Sequence, residues 1–305
     1  MAGGDRRGGR LDLAPGPASS WPKDRNDRRA VGSPASAAGC RGGIIVSRNL
    51  EGARIVLTGA GAGIGKAAWS QLEARGATVC GIDLRGDGAI ITADVRDSTA
   101  MAAAMQAAAD RLGGIDILVN NAGIGTAQDA AVTPDAAARA TIEVNLLGAW
   151  TATAAAAPYL IASHGHVVNV ASGLALVPMP YSAAYSASKR ALAAYSDVLR
   201  LEYRGRLTVT TILPGYIRTS IHDGPAALGL SLEGIVPADS VEQAAAAVVR
   251  ACLRREREIS TSRRTAVSLK LARHFPRLTE AIVSRRTGAL GSSWSSAAAG
   301  HAREA

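Results

Sequence analysis

The chain has 305 residues, 48% of them hydrophobic, 19% charged and only 4% aromatic, a balance that excludes wholesale disorder and leaves enough apolar mass for one large core. The formal net charge of +9 belongs to the ends: residues 1–50 carry nine basic against four acidic groups and residues 251–305 eleven against four, while the stretch between them holds fourteen against seventeen. A mildly acidic body poor in aromatics excludes a nucleic-acid-binding face.

Residues 1–48 are rich in Gly, Pro, Ser, Arg and Asp without apolar periodicity, and read as a disordered basic tail. No apolar run follows Arg6, Arg7 and Arg10, so a secretory signal is not expected. From Arg54 short β-branched runs alternate with Ala-rich stretches. Strands are expected at Arg54–Thr58, Thr78–Asp83, Ala89–Thr92, Ile115–Asn120, His166–Ala171, Leu207–Leu213 and Glu258–Thr261. Helices are expected at Ile64–Arg75, Ser98–Leu112, Ala136–Ser163, Ala183–Tyr203 and Ser240–Arg255. The best candidate for a membrane span, Leu146 to Ser163, contains Pro158 and is mostly Ala, which favours a buried helix. Continuous apolar strands separated by helices predict a single doubly wound, Rossmann-like parallel sheet of the α/β class, covered by helices on both faces, over residues 49–262. Residues 263–305 read as a basic extension, helical at first and then disordered. Cys40, Cys80 and Cys252 lie far apart with no CxxC pair, the usage of a reduced, cytoplasmic protein.

Thr58-Gly59-Ala60-Gly61-Ala62-Gly63-Ile64-Gly65 follows the first strand and opens a helix. Glycines there let the main chain turn sharply and approach a pyrophosphate, which meets the free N–H groups of the helix start. A plain tight turn has a similar glycine run, so the reading rests on context. Asp83 ends the second strand about 20 residues on, where its carboxylate is placed to accept from adenosine ribose hydroxyls and to repel a 2′-phosphate. NAD is therefore expected over NADP, with Arg85 acting against that preference. A strand-end turn residue is the plain alternative for Asp83.

The spacing Gly59-x3-Gly63-x-Gly65 resembles the fingerprint of the short-chain dehydrogenase/reductase family. Asn120-Asn121-Ala122-Gly123 after the fourth strand resembles that family's NNAG motif, and Asp94-Val95 its adenine-contacting pair. Pro214-Gly215, with Ile217 and Thr219, resembles the segment that holds the nicotinamide carboxamide. Tyr185 and Lys189 are four residues apart and so share one helix face. A phenol with a pKa of about 10 needs about 4 kcal/mol of phenolate stabilisation to act near pH 7. Lys189 and an oxidised nicotinamide ring supply it in the family, whose catalytic Ser and Asn match Ser172 and Asn145.

The resemblance implies hydride transfer with a secondary alcohol or ketone, and a homodimer or homotetramer built on helices 136–163 and 183–203. The segment Gly173–Pro180 and the loop Ile221–Val236, where the family encloses its substrate, are mainly apolar, so a lipophilic substrate is expected against Ser172, Leu174, Tyr181 and Tyr185. A sensor or scaffold that binds NAD without turnover is the alternative from another class. No metal is expected, since His164 and His166 flank a glycine with no accompanying ligand set. In the tail, Val267, Leu271, Leu278 and Ile282 recur at helical spacing among Lys270, Arg273, Arg277, Arg285 and Arg286, interrupted by Pro276. A helix packed over the cleft or a neighbouring subunit is expected there ahead of contact with an anionic membrane.

Overall fold

The computed structural model describes residues 50–86, 88–217 and 238–287. The expected tail 1–48, Thr219, the loop Ile221–Val236 and residues 288–305 lie outside the described residues. In chain order the strands are β1 (Arg54–Thr58), β2 (Thr78–Asp83), β3 (Ile90–Thr92), β4 (Ile117–Asn120), β5 (His166–Val170), β6 (Thr208–Leu213), β7 (Tyr216–Ile217), β8 (Ala238–Asp239) and β9 (Glu258–Ser260). β7 pairs with β8. The other seven form one sheet in the order β3-β2-β1-β4-β5-β6-β9, every neighbouring pair parallel.

The helices are α1 (Gly63–Glu73), α2 (Ser98–Leu112), α3 (Ala136–Ile142), α4 (Ala149–Ala162), α5 (Ala183–Glu202), α6 (Val241–Arg254), α7 (Arg263–His274) and α8 (Pro276–Thr287). Strand alternation sends Ile55 and Leu57 to one face of the sheet, where they meet Ala68 and Leu72 of α1 and Ala245 and Val248 of α6. Val56 and Leu118 point the other way, onto Met101 and Met105 of α2 and Ala156 and Leu160 of α4. Two covered faces explain why β1 and β4 carry the unbroken apolar runs Ile55–Leu57 and Ile117–Val119. With a single Phe in the whole chain, alanine-rich helices fill the core by close approach rather than by bulk. Local signals set the helix ends: the Asp97 carboxylate accepts from the N–H groups of Thr99 and Ala100, and left-handed Gly113 closes α2. Ser240 and Gln243 form a reciprocal capping box on α6.

The expected single helix over 136–163 is broken in the structure. A π-helical turn at Glu143–Gly148 separates α3 from α4, the widened turn that commonly marks a functional position inside a helix. This stretch, Ala136–Ala162, is also the one helical run among the described residues long and apolar enough to cross a bilayer, and it packs against α2 and the sheet. Pro276 starts α8 rather than merely interrupting a longer helix, since a proline at the first helical position gives up no needed N–H. Leu269 and Ala272 of α7 and Val283 of α8 enter a third apolar cluster with Leu174, Val177, Met179, Leu192 and Leu213.

Candidate active site

All seven strands of the sheet run the same way, so their carboxyl ends, and the loops that follow, gather at one edge. Topology thereby brings the Gly59 turn, Asp83, Asn121, Ser172 and Pro214 to one side of the molecule. Gly59 has φ +66°, and a Cβ there would lie 2.7 Å from Ala122 Cα. At Gly65 a Cβ would lie 1.9 Å from the Gly59 carbonyl oxygen, so the first turn of α1 closes on the strand end only with glycine. Ala62 stands at the N-cap of α1 with no side-chain cap, and the first turn, with Gly63 and Ile64, carries no acidic residue. Among the described residues the N–H groups of that turn thus have no side-chain cap, and this fits an anionic pyrophosphate.

Asp83 accepts the Gly61 N–H on Oδ2 at 2.9 Å, which ties the glycine turn to the end of β2. Arg85 is exposed just beyond it. Asp94 is held by Arg96 at 2.6 Å, and that guanidinium keeps its carboxyl below the usual range; Val95 is buried beside Gly148. Asn121 donates its side-chain amide to the carbonyls of Thr58 at 3.2 Å and Gly59 at 3.0 Å. In return, Thr58 Oγ1 accepts the N–H groups of Asn121 and Ala122 at 3.1 and 3.2 Å. Thr58 is thus a stitch between the two nucleotide-side motifs, visible in the sequence only as the residue preceding the glycine run. Asn120 points inward instead and donates to Thr153 and Asn169 within the core.

On the catalytic side, Tyr185 and Lys189 share the buried face of α5, with Lys189 Nζ 5.8 Å from the phenol ring centroid. Lys189 is only 3% exposed and donates to the Val170 carbonyl at 3.0 Å; burial pulls its pKa down to about 8. Burial pushes the Tyr185 phenol up, and a hydrogen bond with Ser172 acts against that rise. Ser172 follows β5, and its Oγ accepts the Leu174 N–H at 3.1 Å, capping a 3-10 turn over Gly173–Ala175. The Gly173 N–H donates to the Pro214 carbonyl at 2.7 Å. Gly215 donates its N–H to Thr261 Oγ1 at 3.2 Å, and Thr261 and Thr265 both donate to Asp239. The Pro214-Gly215 corner is thereby strapped to the start of α7. Ile217 lies in β7 and is buried.

Asn145 sits inside the π turn. Its Oδ1 accepts the Ile124 N–H at 2.9 Å, while Nδ2 donates to the Ile124 carbonyl at 2.9 Å and to Ser188 Oγ at 3.0 Å. Ser188 Oγ in turn donates to the Tyr185 carbonyl at 2.7 Å. A Cβ on Gly123 would lie 3.2 Å from Asn145 Oδ1 and 3.3 Å from Lys189 Nζ, so the loop after β4, the π turn and α5 converge there. Ser188 is a brace that sequence reasoning did not single out; its place immediately before Lys189 was the only signal. Tyr181 has φ +60° and its carbonyl accepts the Gln128 N–H at 2.9 Å, which pins the loop ahead of α5. Leu174 is buried in the third cluster. Among the described residues no group of His, Cys, Asp and Glu is arranged to hold a metal ion.

A doubly wound parallel sheet with an anion-ready glycine turn and a buried Tyr–Lys pair at its carboxyl edge defines a nucleotide-binding α/β protein. The family model for short chain dehydrogenases matches residues 53–225, and the chain belongs to that family. It is 33% identical to dehydrogenase/reductase SDR family member 7B of Mus musculus over 196 residues, 56% of this chain and 60% of that protein. It is 34% identical to D-threitol dehydrogenase of Mycolicibacterium smegmatis over 209 residues, 62% of this chain and 80% of the relative. To 11-beta-hydroxysteroid dehydrogenase A of Sesamum indicum it is 28% identical over 245 residues, 72% of this chain and 70% of the relative. The chain thus spans about 60% of the length of the first of these relatives. A short chain dehydrogenase from Burkholderia cenocepacia solved in complex with NADP superposes with a TM-score of 0.65 at 29% identity, covering 78% of this chain and 98% of that one.

Proposed function

We propose that the chain is an oxidoreductase that transfers hydride between a nicotinamide dinucleotide and a lipophilic secondary alcohol or ketone. The observation that carries this reading is a chain of contacts at the edge that also bears the glycine turn: Tyr185 meets Ser172 and Lys189, and Lys189 and Asn145 converge beside Gly123. The glycine turn and α1 N-terminus would hold the pyrophosphate, Asp83 the adenosine ribose, and the Pro214-Gly215 corner the carboxamide end. A bound nicotinamide supplies the hydride acceptor or donor. Tyr185 moves the proton at the substrate oxygen, and the Ser172 hydroxyl orients that oxygen by a hydrogen bond. With its pKa at about 8, Lys189 is mostly protonated at pH 7 and favours the phenolate that burial alone disfavours. Asn145 and Ser188 hold the helical turn that carries Tyr185 in register with Lys189.

NAD(H) is the cofactor of this proposal, supported by the Asp83 carboxylate at the end of β2; the NADP in the similar Burkholderia structure argues the other way and makes the choice testable. The lipophilic substrate is supported by the apolar residues after Ser172, Val177 and Met179 among them, and by the hydroxysteroid name of one relative. The threitol name of another sets a polyol as the competitor. Cytoplasmic residence is supported by the buried free thiols of Cys80 and Cys252. A homo-oligomer is supported by Leu147, Trp150, Val198 and Leu201, apolar and exposed on the two expected helical faces. Trp150→Glu is expected to shift the scattering mass toward the monomer.

The deciding experiment follows NADH absorbance across apolar ketones, secondary alcohols and polyols, with Tyr185→Phe as the blank. Turnover of apolar substrates by the parent alone is the expected result. NADH binding without turnover across the whole panel would overturn the enzymatic reading in favour of a binding protein.

A further inference from the structure

The two C-terminal helices bury one face and leave the other bare. Thr265, Leu269 and Ala272 of α7 and Val283 and Thr287 of α8 are buried. On the outside stand Val267, Leu271, Phe275, Leu278 and Ile282, exposed by 58, 54, 54, 59 and 43%. They recur at spacings of three and four residues across the α7–α8 junction, so they form a row rather than scattered singles. The chain's only Phe is one of them. Around the row lie Arg263, Arg264, Lys270, Arg273, Arg277, Arg285 and Arg286, all exposed, against Glu280 as the one acidic residue from 263 to 287. Among the described residues, Arg273 is the one of these cations that forms an ion pair, with Glu258 at 2.7 Å.

We infer that this face is a docking surface for an anionic lipid bilayer. The chemistry of the face selects among partners. A second copy meeting it about a two-fold axis would bring the same patch against itself, six unpaired cations against six. A polynucleotide would meet the cations but leave the aliphatic row uncovered, with one aromatic ring to stack on. Anionic headgroups answer the cations, and the acyl boundary just beneath them takes the apolar row. Long arginine and lysine stems reach the headgroup level while the row inserts. The inference goes beyond the proposed reaction and does not depend on it. The packed helix that the sequence favours is present on the inner face, and the bare face is a different face of the same two helices, so the two contacts coexist.

Flotation of the full chain with vesicles of phosphatidylcholine and phosphatidylserine at 70:30, against phosphatidylcholine alone, tests this directly. The chain is expected to float with the anionic vesicles at low salt and not with the neutral ones. Because the N-terminal tail is also basic, the decisive variant keeps every charge: Val267→Ser, Leu271→Ser, Leu278→Ser and Ile282→Ser together. It is expected to lose at least nine-tenths of the bound fraction while keeping the parent's circular dichroism spectrum. Arg285→Gln with Arg286→Gln, a second surface variant, is expected to weaken partitioning about thirtyfold. Failure of the parent to float, or equal flotation of the serine variant, would overturn the proposal. Loss of a dimer by the serine variant without any flotation of the parent would overturn it too, assigning the face to a second copy.

Discussion

At the β1 end of the sheet the site is made from what residues lack, and at the β5–α5 end from what they carry. Gly59 and Gly65 matter because a Cβ on either would strike main-chain atoms at 2.7 and 1.9 Å, and the helix that opens there has no side-chain cap. Ser172, Tyr185 and Lys189 matter through three side-chain groups, two of them shifted in opposite directions by the same burial. The contrast teaches that the two ends fail differently. Altering the first is expected to move the main chain and so to cost folding and binding together; altering the Tyr185 hydroxyl is expected to leave the frame intact and remove only the proposed chemistry, whereas Ser172 and Lys189 also hold main-chain groups.

Tyr185→Phe draws the sharpest line. It is expected to lower kcat/KM by about 10³-fold or more, since it deletes the proposed proton-transfer group, while the NADH dissociation constant changes less than twofold in a fluorescence titration. A large loss of NADH affinity would blur the two ends. Gly65→Ala is next, with about 3 kcal/mol less stability in urea unfolding and a parallel loss of cofactor binding, because backbone must shift to admit the methyl group. Retained binding at reduced stability would break the comparison from the other side.

Asp83→Ala is expected to narrow the NAD over NADP ratio about tenfold, measured as a ratio of kcat/KM values. A parent that already favours NADP(H) would show that Arg85 outweighs the carboxylate. The smallest effect lies outside both ends, at His166, whose ring is buried on β5 with Nδ1 2.7 Å from Thr208 Oγ1 and whose pKa burial lowers to about 3. The unfolded chain takes up a proton near pH 6.5 that the native state refuses until about pH 3, so stability rises with pH through that window and is lost on acidification. Between pH 8 and pH 6 the loss is under about 1 kcal/mol, and His166→Gln is expected to flatten it in urea titrations.

The strands and helices of the body were legible because their patterns are local: Arg54–Thr58, Thr78–Asp83 and Ser98–Leu112 fall where periodicity puts them. So were the motifs that the structure gathers at the carboxyl edge, since each follows a strand. What escaped was set by distant partners. The π turn depends on how Asn145 is gripped by Ile124 and Ser188, contacts that no spacing rule contains. The Thr58–Asn121 stitch joins residues 63 apart, and Asp94 turned out to be held by Arg96, two positions away, a pairing that the motif does not mention. The tail shows the limit most clearly. Its apolar spacing was plain in the sequence, but which residues face in and which face out depends on the third cluster they dock against.

That docking has a consequence for how the protein is divisible. The family match stops at residue 225, yet the layer behind the turn that follows Ser172 is completed by Leu269, Ala272 and Val283, and a Cβ on Gly173 would sit 3.2 Å from Leu269. The candidate catalytic groups and the backing against which they rest are therefore encoded in separate stretches of chain. Exchanging 263–287 for another segment would reshape the ground beneath the serine turn, and the cluster against which Tyr185 packs, while leaving the sequence of 172–189 unchanged, which makes the tail a module for retuning rather than an appendage.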